Sequence, residues 1–245
     1  MKIRCSALGK IMTNPRTKAD REAGLLSDTT KSYCLELLAQ KYGRYKDINS
    51  KYLEKGLAVE EDSITLLSLL TNTLYLKNED NLQNEFITGT PDIVKDGTVH
   101  DIKSSWSLES FLKAKYSKLD KGYELQLQGY MALTGCKQAK LHYCLVNATA
   151  TLIDDEKRRL FYQYGDTENP KYINDCQQVE RNMIYDLPKF MKDNPNYDLA
   201  STNWSYDIPA EKRLHTIDID YNFELMESVY ERVKKVNEYL SEIDL

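Results

Sequence analysis

Apolar positions recur along the chain at helical and strand periods, and changes of period mark its elements. Residues 1–27 read as a short helix followed by a polar, basic loop. Tyr33, Leu37 and Leu38 share one face of a helix over 30–42, with Asp28 or Thr29 as its cap. Leu57, Glu60, Ile64 and Leu67 follow helical spacing and predict a helix over 53–75. That stripe carries Glu60 on a face otherwise aimed at the core. Strands are expected near 84–94 and 98–104. A short helix and a lysine-rich loop follow over 105–121. A helix over 121–134 ends at Gly135, a suitable C-cap. Its inward stripe is Tyr123, Gln126, Tyr130 and Leu133. Ala139–Asn147 alternates as a strand and completes a βαβ-like crossover. The last third reads as mostly helical, with a helix over 172–193, a loop over 194–210, a strand over Leu214–Tyr221 and a terminal helix over 222–243. Val229, Val233, Val236 and Leu240 form that last helix's apolar stripe. The expected fold class is α/β: a central mixed sheet with a hairpin, flanked by helices. We read one domain over 1–245, with a core of about 28–150 and a helical and strand extension over 151–245.

The polar positions of the hairpin carry the chemistry. Asp96-Gly97 is a two-residue turn of the kind that closes antiparallel strands. Closing there pairs Lys95 with Thr98, Val94 with Val99 and Ile93 with His100, and sets Asp92 opposite Asp101. Like charges directly opposite in a sheet are destabilising. A cation held between them removes the conflict. Residues two apart in a strand share a face, so Lys103 points with Asp101. Two carboxylates and a lysine on one face make a site for a hard metal with a base or charge stabiliser beside it. The competing reading is an exposed polar face on an edge ribbon.

Composition narrows the classes. Hydrophobic residues make up 41% and charged residues 29%, which fits a globular protein that stays in water. No apolar run has the length of a membrane helix, and the first residues lack the apolar core of a signal peptide. The five cysteines are odd in number and include no Cys-x-x-Cys pair, so the expected setting is a reducing cytoplasm. His100, His142 and His215 are scattered without ligand spacing. The net charge of -5 argues against a generally basic nucleic-acid binder. Two local basic clusters remain. One holds Lys10, Arg16, Lys18 and Arg21. The other holds Lys113, Lys115, Lys118 and Lys121, read either as phosphate contacts or as a solvated face.

The ordered set is Glu60 on a helix, Pro91-Asp92, Asp101-Ile102-Lys103, and Gln126 one turn before Tyr130. It resembles the PD-(D/E)xK nuclease superfamily, and within it the phage lambda exonuclease or YqaJ-type viral recombinase family. Gly56-x-x-x-Glu60, Thr90-Pro91-Asp92, Asp101-Ile102-Lys103 and Gln126-Leu127-Gln128 carry the likeness, with Ser6 where the family has a serine in its first helix. The resemblance implies a restriction-endonuclease-like core. It implies Mg²⁺ or Mn²⁺, one or two ions, on Asp92, Asp101, the Ile102 carbonyl and Glu60. Lys103 would act on the attacking water or the developing charge, and Gln126 would position Lys103 or the water. Ser6, Tyr130 and Lys113, Lys115, Lys118 and Lys121 are the expected DNA contacts. The implied activity is 5′→3′ resection of linear duplex ends for recombination, in the host cytoplasm if phage-encoded. The implied partners are double-stranded DNA ends, a single-strand annealing protein and two further copies in a trimer. An endonuclease, a single-strand nuclease or a catalytically silent binding module on the same core are the alternatives. The family's upstream arginine for a 5′-phosphate has no counterpart in this sequence. The spacing of Cys136, Cys144 and Cys176 does not match the family's iron–sulfur relatives, so no cluster is expected.

Overall fold

The strands form two sheets in the computed structural model, which describes residues 1–45, 50–201 and 203–244. In chain order the first elements are β1 (Ile3–Arg4), a 3₁₀ turn (Cys5–Ala7), α1 (Leu8–Ile11), α2 (Lys18–Glu22) and α3 (Asp28–Lys41). Then come α4 (Lys51–Ala58), α5 (Glu60–Thr71), β2 (Leu82–Gln83), β3 (Ile87–Gly89), β4 (Ile93–Lys95) and β5 (Thr98–Ser104). α6 (Leu108–Tyr116), α7 (Lys121–Thr134), β6 (Gln138–Cys144), α8 (Ala150–Tyr164), α9 (Pro170–Met183) and α10 (Leu187–Asp193) follow. β7 (Leu214–Asp220) and α11 (Phe223–Glu242) close the chain. The larger sheet has the order β4-β5-β6-β7, and the smaller has β1-β3-β2.

β5 and β6 run parallel, joined through α6 and α7, while β4 and β7 are antiparallel to their neighbours. This is the mixed α/β architecture expected. The main core gathers Ile3, Leu8, Ile11, Leu127 and Leu141 with Val229, Val233 and Val236 of α11. β7 and α11 are thus built into the sheet and core rather than appended to them.

Several boundaries differ from expectation. The helix over 53–75 is two helices. Val59, buried and β-branched, leaves helical geometry between α4 and α5, and Asn72 ends α5 in the left-handed region at φ 50°. Leu57 therefore faces outward, 68% exposed, while Ile64 and Leu67 are buried. Glu60 opens α5, where a carboxylate is favoured by the helix dipole. The strand over 84–94 is interrupted at Thr90–Pro91-Asp92, because proline has no N–H to donate to a ladder. The helix over 172–193 breaks between α9 and α10, where the Asn147 side chain accepts from Tyr185 N and Asp186 N. Ser27, rather than Asp28 or Thr29, caps α3, accepting from Thr30 N at 3.1 Å. Thr202, inside the expected 194–210 loop, lies outside the described residues.

α7 lies almost against the backbone of the 3₁₀ turn and β3. A Cβ on Gly129 would stand 2.8 Å from Cys5 Sγ, and one on Gly89 would stand 2.6 Å from a ring carbon of Tyr130. These contacts set the depth of α7 and hence of Gln126 and Tyr130. Gly129→Ala is expected to cost about 1–3 kcal/mol by overpacking. Urea unfolding checks it, and Cys5→Ala in the same chain should recover part of the loss. An unchanged midpoint in Gly129→Ala would mean that α7 moves aside freely.

Candidate active site

Asp96 and Gly97 both adopt positive φ, 49° and 73°, as a type I′ turn requires. The ladder pairs Lys95 with Thr98, Val94 with Val99 and Ile93 with His100. Asp92 comes next, and its Oδ2 accepts from Ile102 N at 2.7 Å. Asn78 holds the same segment from the other side. Its N donates to Asp92 O at 2.7 Å, and its Nδ2 to Pro91 O at 3.0 Å.

Asp101 is buried. Its Oδ1 accepts from Gln126 Nε2 at 3.2 Å, and the same nitrogen lies 2.9 Å from the Tyr130 hydroxyl. Its Oδ2 lies 2.6 Å from Lys103 Nζ in a close ion pair. Lys103 Nζ also stands 5.0 Å from the centre of the Tyr123 ring. One helix, α7, one strand, β5, and the two loop segments holding Asn78 and Asp92 therefore converge on the carboxylates.

The charges are under tension. Burial, and then the charge of Asp101, push the Asp92 carboxyl up to about 7. Burial also raises Asp101, against the pull of Lys103. For Lys103, burial disfavours the charge, but Asp101 and Asp92 outweigh it and hold the ammonium above the usual lysine range. The two carboxylates therefore favour the charged form of Lys103.

Asp92, Ile102, Lys103 and Glu60 line one open cleft of about 980 Å³, bordered on its far side by α4 and the loop after β5. Glu60 is not free in it, since Lys77 Nζ lies 2.6 Å from Glu60 Oε2. Lys113 lines the same cleft but pairs with Glu109 at 2.6 Å. Lys115, Lys118 and Lys121 are exposed and outside its lining. Ser6 lines a second hollow of about 460 Å³ with Lys10, Tyr123 and Gln126, on the other side of Tyr123. Tyr130 is buried with its hydroxyl on Gln126, so its place is inside the protein and not on a DNA surface. His100 and His142 form a buried pair at 2.9 Å, with His142 also against Thr216, and take no part in the cleft.

Lys77 and Asn78 were not legible in the sequence. They come from a stretch without periodicity, and only its return along β4 brings them to Glu60 and Asp92. The carboxylate oxygens of Asp92 and Asp101 are of the type that suits a hard divalent ion. Among the described residues, no three His, Cys, Asp or Glu side chains form a ready cage. The fit is therefore for an ion held by two carboxylates and completed by water, backbone or substrate.

No family model and no curated protein matches the chain. Solved structures do. A phage-related exonuclease from Haemophilus somnus 129PT superposes with a TM-score of 0.71 at 29% identity, over 99% of this chain and 94% of that one. An alkaline exonuclease from Laribacter hongkongensis superposes with a TM-score of 0.61 at 13% identity, over 98% of this chain and 88% of that one. The same enzyme in complex with dAMP gives 0.60 at 14% identity. Over essentially its whole length, this chain is a structural relative of the phage-type, lambda-exonuclease-like nucleases.

Proposed function

We propose that the protein is a DNA exonuclease, dependent on Mg²⁺ or Mn²⁺, that resects linear duplex ends in the 5′→3′ direction. The observation that carries this reading is the carboxylate pair. Asp92 and Lys103 line the cleft, and the buried Asp101, paired with Lys103, adds its charge to that of Asp92, on a fold shared with exonucleases. A site that only bound DNA would have no use for that repulsion.

Asp92 and Asp101 would hold the ion, with the Ile102 carbonyl as a further oxygen. A bound divalent ion would lower the pKa of water and offset charge on the phosphate. Lys103, as an ammonium, donates to the charge that builds on the phosphate oxygens. Gln126 fixes Asp101 by donating to its Oδ1, and Tyr130 braces Gln126. Lys77 on Glu60 supports a role for Glu60 in ordering water at the cleft rather than as a direct ligand. The trimer and the annealing partner belong to this proposal as implications of the resemblance.

The test is end-labelled linear duplex with 5′-phosphate or 5′-hydroxyl ends, beside closed circular duplex, in Mg²⁺, Mn²⁺ or EDTA. Metal-dependent loss of the 5′-ended strand from linear DNA alone is expected. Circular DNA cut as fast as linear would make the protein an endonuclease. Intact DNA in every metal would make it a silent module.

A further inference from the structure

Glu60 lines the cleft with Asp92 and Lys103, and it is held there by a lysine that does not line it. Lys77 Nζ donates to Glu60 Oε2 at 2.6 Å. Glu60 is the more enclosed partner, with its side chain 16% exposed against 39% for Lys77. A partly exposed ion pair adds little to stability. Its place at the cleft gives it another use.

The backbone brings this ammonium to the site on purpose-built contacts. Asn78, the next residue, donates from its N to Asp92 O and from its Nδ2 to Pro91 O. The segment that carries Lys77 is thus tied to the segment that carries Asp92. Glu60 first, and Glu61 and Asp92 after it, favour the charge on Lys77.

The formal charges of the site then nearly balance. Glu60, Asp92 and Asp101 stand against Lys77 and Lys103. Glu109 and Lys113, also in the cleft lining, cancel each other. A single excess negative charge remains, and one divalent ion reverses it. A second ion on Glu60 would have to expel Lys77 or lie beside it, in a site that is already positive. Like charges at short range repel most where water is scarce. Without Lys77, Glu60 would be an open oxygen ligand of the kind that Mg²⁺ and Mn²⁺ accept.

Resting on the nuclease reading, we infer that Lys77 is a positioning residue that stands in for a second cation. It holds Glu60 as an ion pair, so the cleft binds a single divalent ion, on the side of Asp92 and Asp101. Lys77 acts through Glu60. It keeps that carboxylate fixed at the edge of the site and closed to a metal.

The test counts ions in the absence of DNA. Mn²⁺ is titrated into the full chain, with binding followed by calorimetry and free Mn²⁺ by paramagnetic resonance. The wild type should bind one Mn²⁺ per chain. Lys77→Gln should bind two, the second more weakly. Adding Glu60→Gln to that variant should return the count to one. Lys77→Arg keeps the cation and should stay at one. An ordinary surface ion pair would move none of these counts. Two ions in the wild type overturn the inference however the variants behave, and so does a single ion in Lys77→Gln. If Mn²⁺ still supports cleavage of linear duplex, only the inference falls and the nuclease reading stands. No bound ion in the wild type while cleavage proceeds likewise removes the single resident ion alone. No bound ion and no cleavage overturn both together.

Discussion

Lys103→Ala is expected to lower DNA hydrolysis by about 10²–10⁴-fold while leaving Mn²⁺ binding in place. The reason lies in the sign of its charge. Lys103 is held protonated by Asp101 and Asp92, so in this state it cannot ligate a cation, and its removal takes no donor from the ion. Removing a positive neighbour should, if anything, leave the carboxylates more available to a cation. What is lost is a charged donor at the point where negative charge builds on the phosphate. Asp101→Ala is the contrasting variant. It removes a proposed ligand, takes one of two acceptors from Gln126 Nε2 and leaves Lys103 without its Asp101 partner, so metal binding and cleavage should both disappear. Calorimetric titration with Mn²⁺ beside a cleavage assay separates the two variants. Full cleavage by Lys103→Ala, or unaltered metal affinity in Asp101→Ala, would show that the site is elsewhere.

Asp92→Asn should make the metal-free protein more stable at alkaline pH while destroying its response to metal. Burial and Asp101 raise the Asp92 carboxyl to about 7 in the folded chain, against about 3.9 when unfolded. The folded state thus binds this proton more tightly. The cost of ionising Asp92 is absent below the unfolded value, grows as pH rises toward 7, and is constant above it. An amide in its place carries no charge, and its oxygen can still accept from Ile102 N. Metal-free melting temperatures of variant and wild type should therefore agree near pH 4 and separate by several degrees at pH 8, on a scale of about 2–4 °C per kcal/mol for a chain of this size. A divalent ion at 100 times its dissociation constant should stabilise the wild type by about 2.7 kcal/mol and the variant by far less. A variant that is less stable than the wild type at pH 8, or equally stabilised by metal, would remove the repulsion from the account.

The hairpin could be read from residues alone because its determinants are local. Asp96-Gly97 tolerates the positive φ that its turn needs, and the two-residue period then places every side chain of β4 and β5. The terminal helix was legible for the same reason: a clean stripe of Val229, Val233 and Val236 has one way to face the core. Gln126 and Tyr130 followed from helical spacing on α7, with Gly135 marking the end. Each of these depends on neighbours within a few residues.

Other features depended on contacts between distant segments. The break at Val59 has no glycine or proline to announce it, yet it turns Leu57 out into the cleft while Ile64 stays in the core. Lys77 finds Glu60 only because the chain after α5 folds back along the Pro91-Asp92 segment. Lys55 reads as an ordinary surface lysine on α4, and it is buried because Ser105 and Trp106 offer it two carbonyls. Local sequence determined which residues stand in line: the carboxylates, the ammonium, the amide and their strands and helix. Tertiary structure decided which charges are neutralised, which are left in tension and what covers the far wall. Those outcomes depend on burial and on partners tens of residues away, and no periodicity along the chain encodes them.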